Sequence, residues 1–442
     1  MDLRALAGAG RREALRAASR AALTLSLLVA CGCSDAPPAT PPDTAPPPGQ
    51  LVKSTKPRQT APAPAEDTRQ LTGDNAAFGL DVLHKAAGND NFFTSPHSLS
   101  IALGMTYAGA RERTATQMAS ALHFTLPPDR LHAAFGSLDL ALAQRSRKPV
   151  ESGKAFQLNV LNSLWGQRDY TFLAPFLDLL AERYGAGLSL LDFATDPESS
   201  RKAINLWVSG QTNARIPELL PVGIVNTSTV LVLTNAIYFS ASWREPFEPS
   251  ATVEGSFAKL DGASTSAHFM HQKKEHRYAE GDGFQALELL YTGEDVSMLV
   301  LLPAAGRFAD FRASLDAAKL STIVGGLGSR LVTLSLPRFQ LRTALGVKPT
   351  LKTLGMTDAF EPGLADLSGM DGSRRLFLQD VVHQAFVAVD EKGTEAAAAT
   401  AVVVGRASIP EVATFTADRP FLFVIRDNPT GAVLFMGQVT SP

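Results

Sequence analysis

"EKGTEAAAATAVVVGRASIP", residues 391–410 of a 442-residue chain, carries opposed local preferences. Ala396, Ala397, Ala398 and Ala399 are strong helix formers, whereas Thr400 and the valines at 402–404 favour a strand. Glu391 and the permissive Gly393 lead in, and Arg406, Ala407, Ser408 and a proline lead out. A stretch whose local preferences disagree reads as a segment that adopts more than one conformation.

Its surroundings are firmly patterned. Upstream, "LQDVVHQAFVAVD" is strand-like, and downstream "RPFLFVIRDNPTGAVLFMGQV" reads as two strands joined by a turn at 428–431. The continuous apolar runs "TVLVLTNAIYF" (229–239) and "VSMLVLLP" (296–303) read as strands covered on both faces. Nearer the start, Phe78, Val82, Leu83 and Ala86 share one helical face, with Gly88 as its C-cap. Ser95 is an N-cap with Pro96 at the first helical position of a helix that is apolar nearly all round. Helices crowd the first half and strands the second, a pattern of the α+β class.

The formal charge of −2 leaves no electrostatic footprint for nucleic acid. Cys31 and Cys33 are the two cysteines, so the chain beyond them holds neither a disulfide framework nor a cysteine zinc site. Arg11, Arg12, Arg16 and Arg20 precede "AALTLSLLVA" (21–30), too short for a bilayer span but fitted to a secretory signal. The run ends in "LVAC", similar to a bacterial lipoprotein box, which implies a signal over residues 1–30 and lipidation of Cys31. An ordinary cleaved signal peptide is the alternative. The Pro/Ala-rich residues 31–68 are expected to form a disordered tether. The protein would thus be secreted and held by lipid at the bacterial cell envelope, on its extracellular or periplasmic side.

No nucleophile elbow, HExxH helix, Walker loop or dinucleotide fingerprint occurs. In "HFMHQKKEH", His268, His271, His276 and Glu275 invite a metal reading, but exposed positions of a strand and its turn explain them better. His383 is a candidate general base, with a buried, hydrogen-bonded histidine the more frequent explanation. The expectation is a protein that is not an enzyme and needs no metal or cofactor.

Several blocks together resemble the serpin family of serine protease inhibitors. They are "NFFTSPHSLSIALGMTYAGARERTATQM", "NVLNSLWGQ", "INLWVSGQTNARIPELL", "LVLTNAIYFSASW", "LPRFQL", "HQAFVAVDEKGTEAAAATAVVV" and "ADRPFLFVIRDNPTGAVLFMGQV", in serpin order over residues 69–442. The resemblance implies a monomeric domain of three β-sheets surrounded by eight or nine helices, with an exposed reactive loop at about 391–412. It also implies a single-use trap: a serine or cysteine protease cuts the loop, and the part upstream of the cut inserts into the main sheet, dragging the acylated protease with it. Strand addition of this kind is a known serpin behaviour.

The resemblance assigns further roles. Glu391, Gly393, Thr394, Glu395, the four alanines and Thr400 form the hinge. In an inserted strand Thr394, Ala396, Ala398 and Thr400 share one face, all small and uncharged, while Glu395 stays on the other. Ser95, Ser98, Asn235 and His383 match the shutter, a polar cluster under the sheet, and Trp243 matches the breach where insertion begins. Thr234 and the "SASW" stretch are mild departures from the family pattern. Loop length places the cut between Ala407 and Ser408, suiting an elastase- or subtilisin-like protease; a loop one residue shorter offers Arg406–Ala407 to a trypsin-like one. A non-inhibitory serpin that binds or builds in the cell envelope is the alternative function.

Overall fold

Two apolar runs of the sequence become central strands of two sheets. In the computed structural model, which describes residues 46–145, 157–394 and 412–442, the first run lies in strand Leu231–Ser242 and the second is strand Val296–Pro303. Every residue of both is buried, which is why neither shows polar alternation.

Numbered along the chain, the early strands are β1 (Gln50–Val52), β2 (Phe92–Thr94), β3 (Gln157–Gln167), β4 (Leu188–Leu191) and β5 (Leu231–Ser242). Then come β6 (Val253–Ala258), β7 (Ser264–Gly281), β8 (Phe284–Leu290), β9 (Val296–Pro303) and β10 (Gly328–Pro337). The last are β11 (Phe339–Gly346), β12 (Val381–Asp390), β13 (Gly393–Thr394), β14 (Val412–Thr416), β15 (Phe421–Asp427) and β16 (Val433–Val439). The main sheet has seven strands in the order β1-β4-β3-β5-β13-β12-β11. The other strands form a nine-stranded sheet running β14-β10-β7-β8-β9-β15-β16-β2, with β6 on β7. The three sheets implied by the resemblance appear as two hydrogen-bonded ones because β7 belongs to both groups: it pairs with β6 and β10 along most of its length and with β8 at its end. Ten α-helical segments occur among the described residues, the shortest being Ser368–Asp371.

Helix α1 spans Ala65–Ala86 and α2 spans Pro96–Tyr107. As expected, Ser95 caps α2: its side chain accepts the Ser98 N–H, and Pro96 opens the helix. Helix α2 packs on β3 and β5 of one sheet and on β16 of the other, so an all-apolar circumference is what its position demands. Aromatic rings seal the layer, with Phe93 stacked on Phe423 and Phe435 and Phe239 tilted on Phe435. A separate buried cluster joins Ile204 and Val208 of helix Pro197–Gln211, and Leu219 and Leu220 after it, to Trp165 of β3, Val232 and Ala236 of β5 and Val382 of β12. The helix packs on β3, and the segment that follows it reaches β12, where Gln384 Nε2 donates to the Glu218 carbonyl at 2.9 Å.

The tether expectation is corrected for its second half. From β1 onward the segment is docked: β1 extends the main sheet by pairing antiparallel with β4. Lys56 pairs with Asp178 and Glu182, and Arg58 with Asp139. Helix α1 then begins eight residues before Gly73, where the apolar periodicity becomes legible. Glu66 and Asp67 in its first turn complement the helix dipole, and Asp67 is further held by Arg130. The proposed signal, Cys31 and the first part of the tether lie outside the described residues.

Candidate functional site: the hinge and the seam of the main sheet

Strand β12 ends at Asp390, whose side chain accepts the N–H groups of Lys392 (2.9 Å) and Gly393 (3.3 Å). This turns the chain back on itself, and β13 descends between β12 and β5, antiparallel to both. Gly393 has φ +146°, and a Cβ there would meet the Ala241 carbonyl oxygen at 2.2 Å and the Trp243 nitrogen at 2.8 Å. Only glycine passes through so narrow an entrance. Thr394 follows it into the sheet, fully buried, its hydroxyl 2.9 Å from that of Tyr291.

Trp243 and Glu391 frame this entrance. Trp243 stacks on Tyr291 with centroids 4.5 Å apart, donates its indole N–H to the Asp390 carbonyl and its backbone N–H to the Lys392 carbonyl, each at 2.9 Å. The Glu391 carboxylate accepts hydrogen bonds from Arg338 and Thr252. Burial pushes the Glu391 carboxyl up, but those two donors more than offset it and hold it below its ordinary value. Burial alone raises the Tyr291 hydroxyl well above its ordinary range, so it remains a neutral partner for Thr394.

Below the entrance β5 and β12 pair directly and in parallel, from Leu233 with Val381 to Tyr238 with Phe386. The register sets His383 opposite Asn235, and the β3–β5 register sets Asn162 opposite Asn235. The imidazole Nδ1–H donates to Asn235 Oδ1, while Nε2 accepts the Ser95 N–H at 3.2 Å. Asn235 Nδ2 donates to Ser98 Oγ at 2.5 Å and to Asn162 Oδ1. Ser95 Oγ donates to the Leu434 carbonyl at 2.6 Å, tying the cluster to β16. Burial lowers the His383 pKa to about 3, so the ring is neutral and both nitrogens are satisfied. With Nδ1–H given to Asn235 and the Nε2 lone pair taken by the Ser95 N–H, the buried ring has no free nitrogen with which to act as a general base.

The serine protease inhibitor family model matches residues 73–442. Human leukocyte elastase inhibitor is 39% identical over 385 residues, covering 84% of this chain and the whole of that protein. Human serpin B3 is 39% identical over 393 residues, covering 84% of this chain and 99% of that one. The native-state structure of the thermophilic serpin tengpin superposes with a TM-score of 0.77 at 28% identity, covering 88% of this chain and 98% of that chain. The chain belongs to the serpin family.

The serpin fold brings together the residues that the resemblance named. Ser95, Ser98, Asn235 and His383 form one hydrogen-bonded cluster, while Trp243, Glu391, Gly393 and Thr394 meet at the upper end of the same pair of strands. Glu395, Ala396, Ala397, Ala398, Ala399 and Thr400 lie outside the described residues, as do Arg406, Ala407 and Ser408. Sequence reasoning missed Asn162, Tyr291, Arg338 and Thr252. Asn162 was the findable one, a polar side chain in the apolar strand "NVLNSLWGQ". The departure at Thr234 has a use, since its hydroxyl accepts the Trp165 indole N–H at 2.7 Å.

Proposed function

We propose that this serpin is a single-use trap for a serine protease of the elastase or subtilisin type. The observation that carries the reading is β13: Gly393 and Thr394, at the start of the hinge, sit between β5 and β12, antiparallel to both, as an entering strand must be. In the proposed reaction the protease serine attacks the Ala407 carbonyl, the peptide bond breaks, and the Ser408 amine leaves with a proton from the protease. The acyl-enzyme so formed stays attached to a strand that zips downward from Thr394, six residues before the first of the 400–404 residues. Arg406–Ala407 is the alternative bond for a trypsin-like protease. A leukocyte elastase inhibitor among the relatives supports the small-residue specificity.

Incubation with subtilisin, elastase and trypsin is expected to yield an SDS-stable complex with at least one of them, and mass mapping of that complex locates the cut. Cleavage by all three, each remaining active, would refute trapping. We further propose that the protein is lipid-anchored through Cys31, a reading carried by residues 11–31 alone and without support from the animal relatives. Mass spectrometry of the mature protein is expected to find acylated Cys31 as the first residue; an unmodified N-terminus elsewhere removes the anchor.

A further inference from the structure

His268, His271, Glu275 and His276 have no part in the hinge or the seam. No group of three metal-binding side chains forms among the described residues, and His276 is not the exposed strand residue expected of it, being only 8% accessible. A different histidine has surroundings that point to a ligand. His132 lies in helix Pro128–Arg145, which packs on helix Ala174–Leu179 and its continuation Leu180–Tyr184. The two meet at Gly136, where a Cβ would lie 2.6 Å from the Arg183 carbonyl oxygen, so glycine is needed for the approach. Towards the N-terminal ends of both helices a groove of about 410 Å³ opens between them. Asp129 and His132, one turn apart, line one wall; Pro175, Leu179 and Arg183, each four residues from the next, line the other. The end of this second wall is a π-helical turn, a departure from α-geometry found often at functional sites.

His132 is only 2% accessible. Burial, followed by the nearby Arg183, lowers its pKa to about 4, so at neutral pH the ring is uncharged. Burial also keeps the Tyr184 hydroxyl protonated, and its partner is His132 Nδ1 at 2.6 Å. Nδ1 therefore accepts, and the ring proton sits on Nε2. That N–H has no acceptor among the described residues, yet it is not sealed in the interior; it opens onto the groove. The charges beside it are half matched. Lys56 of the docked segment pairs with Asp178 and Glu182. Asp129 and Arg183 have neither an ion pair nor a side-chain hydrogen bond among the described residues, with each other or with any other group. A ligand of one sign would match one of them and oppose the other, whereas a zwitterion matches both.

We propose that this groove binds a free aliphatic amino acid. Its carboxylate accepts hydrogen bonds from Arg183 and from His132 Nε2–H, its ammonium pairs with Asp129, and its side chain lies along Pro175 and Leu179. One helical turn, about 5–6 Å between Cβ atoms, separates Asp129 from His132, a span that the two charged groups of an α-amino acid bridge with one hydrogen bond at each end. A volume towards the low end of the roughly 300–1,000 Å³ typical of ligand sites suits a small metabolite rather than a peptide. The proposal stands apart from protease trapping, because nothing in it depends on the reactive loop.

The test is titration calorimetry of the full chain with L-leucine, with leucinamide, which lacks the carboxylate, and with 4-methylpentanoate, which lacks the amine. Saturable one-to-one binding of leucine is expected, with 4-methylpentanoate about threefold to fivefold weaker and leucinamide about tenfold weaker. Asp129→Asn, at an exposed position, should weaken leucine about threefold to fivefold without weakening 4-methylpentanoate. Arg183→Gln should weaken leucine about tenfold. If Arg183→Gln fails to fold, Asp129→Asn still decides. Absence of saturable leucine binding, either control binding as tightly as leucine, or unchanged leucine affinity in Asp129→Asn would overturn the site.

Discussion

The same two strands, β5 and β12, are joined differently at two heights. At Ala241 and Ser242 they are separated by β13 and each pairs antiparallel with it; from Tyr238 to Leu233 they pair directly and in parallel. Parallel pairs are slightly weaker per residue than antiparallel ones. Every further residue of loop that enters would therefore replace one parallel contact by two antiparallel ones. What opposes this is local: the shutter hydrogen bonds, and the segment after helix Pro197–Gln211, whose Glu218 carbonyl accepts a hydrogen bond from Gln384 of β12. The upper end thus shows the product of insertion in miniature and the lower end what insertion must break.

The largest effect should come from spoiling the upper end. Thr394 is fully buried against Tyr291, and among the described residues no acidic side chain hydrogen-bonds to it. An arginine in its place would bring a charge into the sheet, at a cost of several kcal/mol. Thr394→Arg should therefore be expelled from the slot and turn the inhibitor into a substrate, with the yield of SDS-stable complex falling about tenfold or more. Gel analysis after incubation with the trapped protease checks this, alongside a thermal scan to show that the variant is folded. Undiminished complex formation would break the link between β13 and trapping.

The next effect is smaller and lies at the lower end. His383→Ala leaves the Ser95 N–H and Asn235 Oδ1 without their partner in a buried layer, a loss of about 2–4 kcal/mol. Denaturant unfolding at pH 7 checks the magnitude, and pH sharpens the cause. The native pKa of about 3 lies below the value of about 6.5 for an unfolded histidine, so the unfolded state takes up the proton first. The contribution is complete above about pH 6.5 and is lost as pH falls towards the native value, by up to about 1.4 kcal/mol per unit. His97, His132 and His276, all lowered to about 4 by burial, steepen the same acid loss. The wild-type advantage over His383→Ala should shrink on acidification. A gap that stays constant from pH 7 to pH 4.5 would mean that the ring is not held neutral.

How much of this was legible in the sequence follows from the range over which each signal acts. The α2 cap, β5, β9 and the final hairpin were readable because cap chemistry and unbroken apolar runs are local. The shutter and breach residues entered through family resemblance, since nothing near Asn235 in sequence announces His383, 148 positions away. Asn162 and Tyr291 show the same limit: their partners are set by strand register, which composition does not encode. The turn of His276 into the protein was missed because β7 carries polar residues on both faces, so alternation alone did not say which face is covered. Docking of residues 50–58 was missed for a different reason: proline and alanine content argues against a core, yet an extended segment needs none when it can borrow the edge of a sheet.

That borrowed edge gives the mildest prediction and the contrast with the seam. β1 meets β4 through three register pairs, Gln50 with Leu190, Leu51 with Ser189 and Val52 with Leu188. Its flanking ion pairs are partly exposed, Lys56 by 51% and Arg58 by 27% of the side chain, and pairs of that kind contribute about 0–1 kcal/mol each. Lys56→Ala with Arg58→Ala should thus lower stability by no more than about 1–2 kcal/mol. The β4 edge, however, should open: hydrogen exchange at Leu188 to Leu190 should accelerate while amides of β5 and β12 keep their protection. Acceleration spreading to the β5–β12 seam would show that the docked segment and the seam are one cooperative unit, and that the edge of the sheet helps to hold its centre closed.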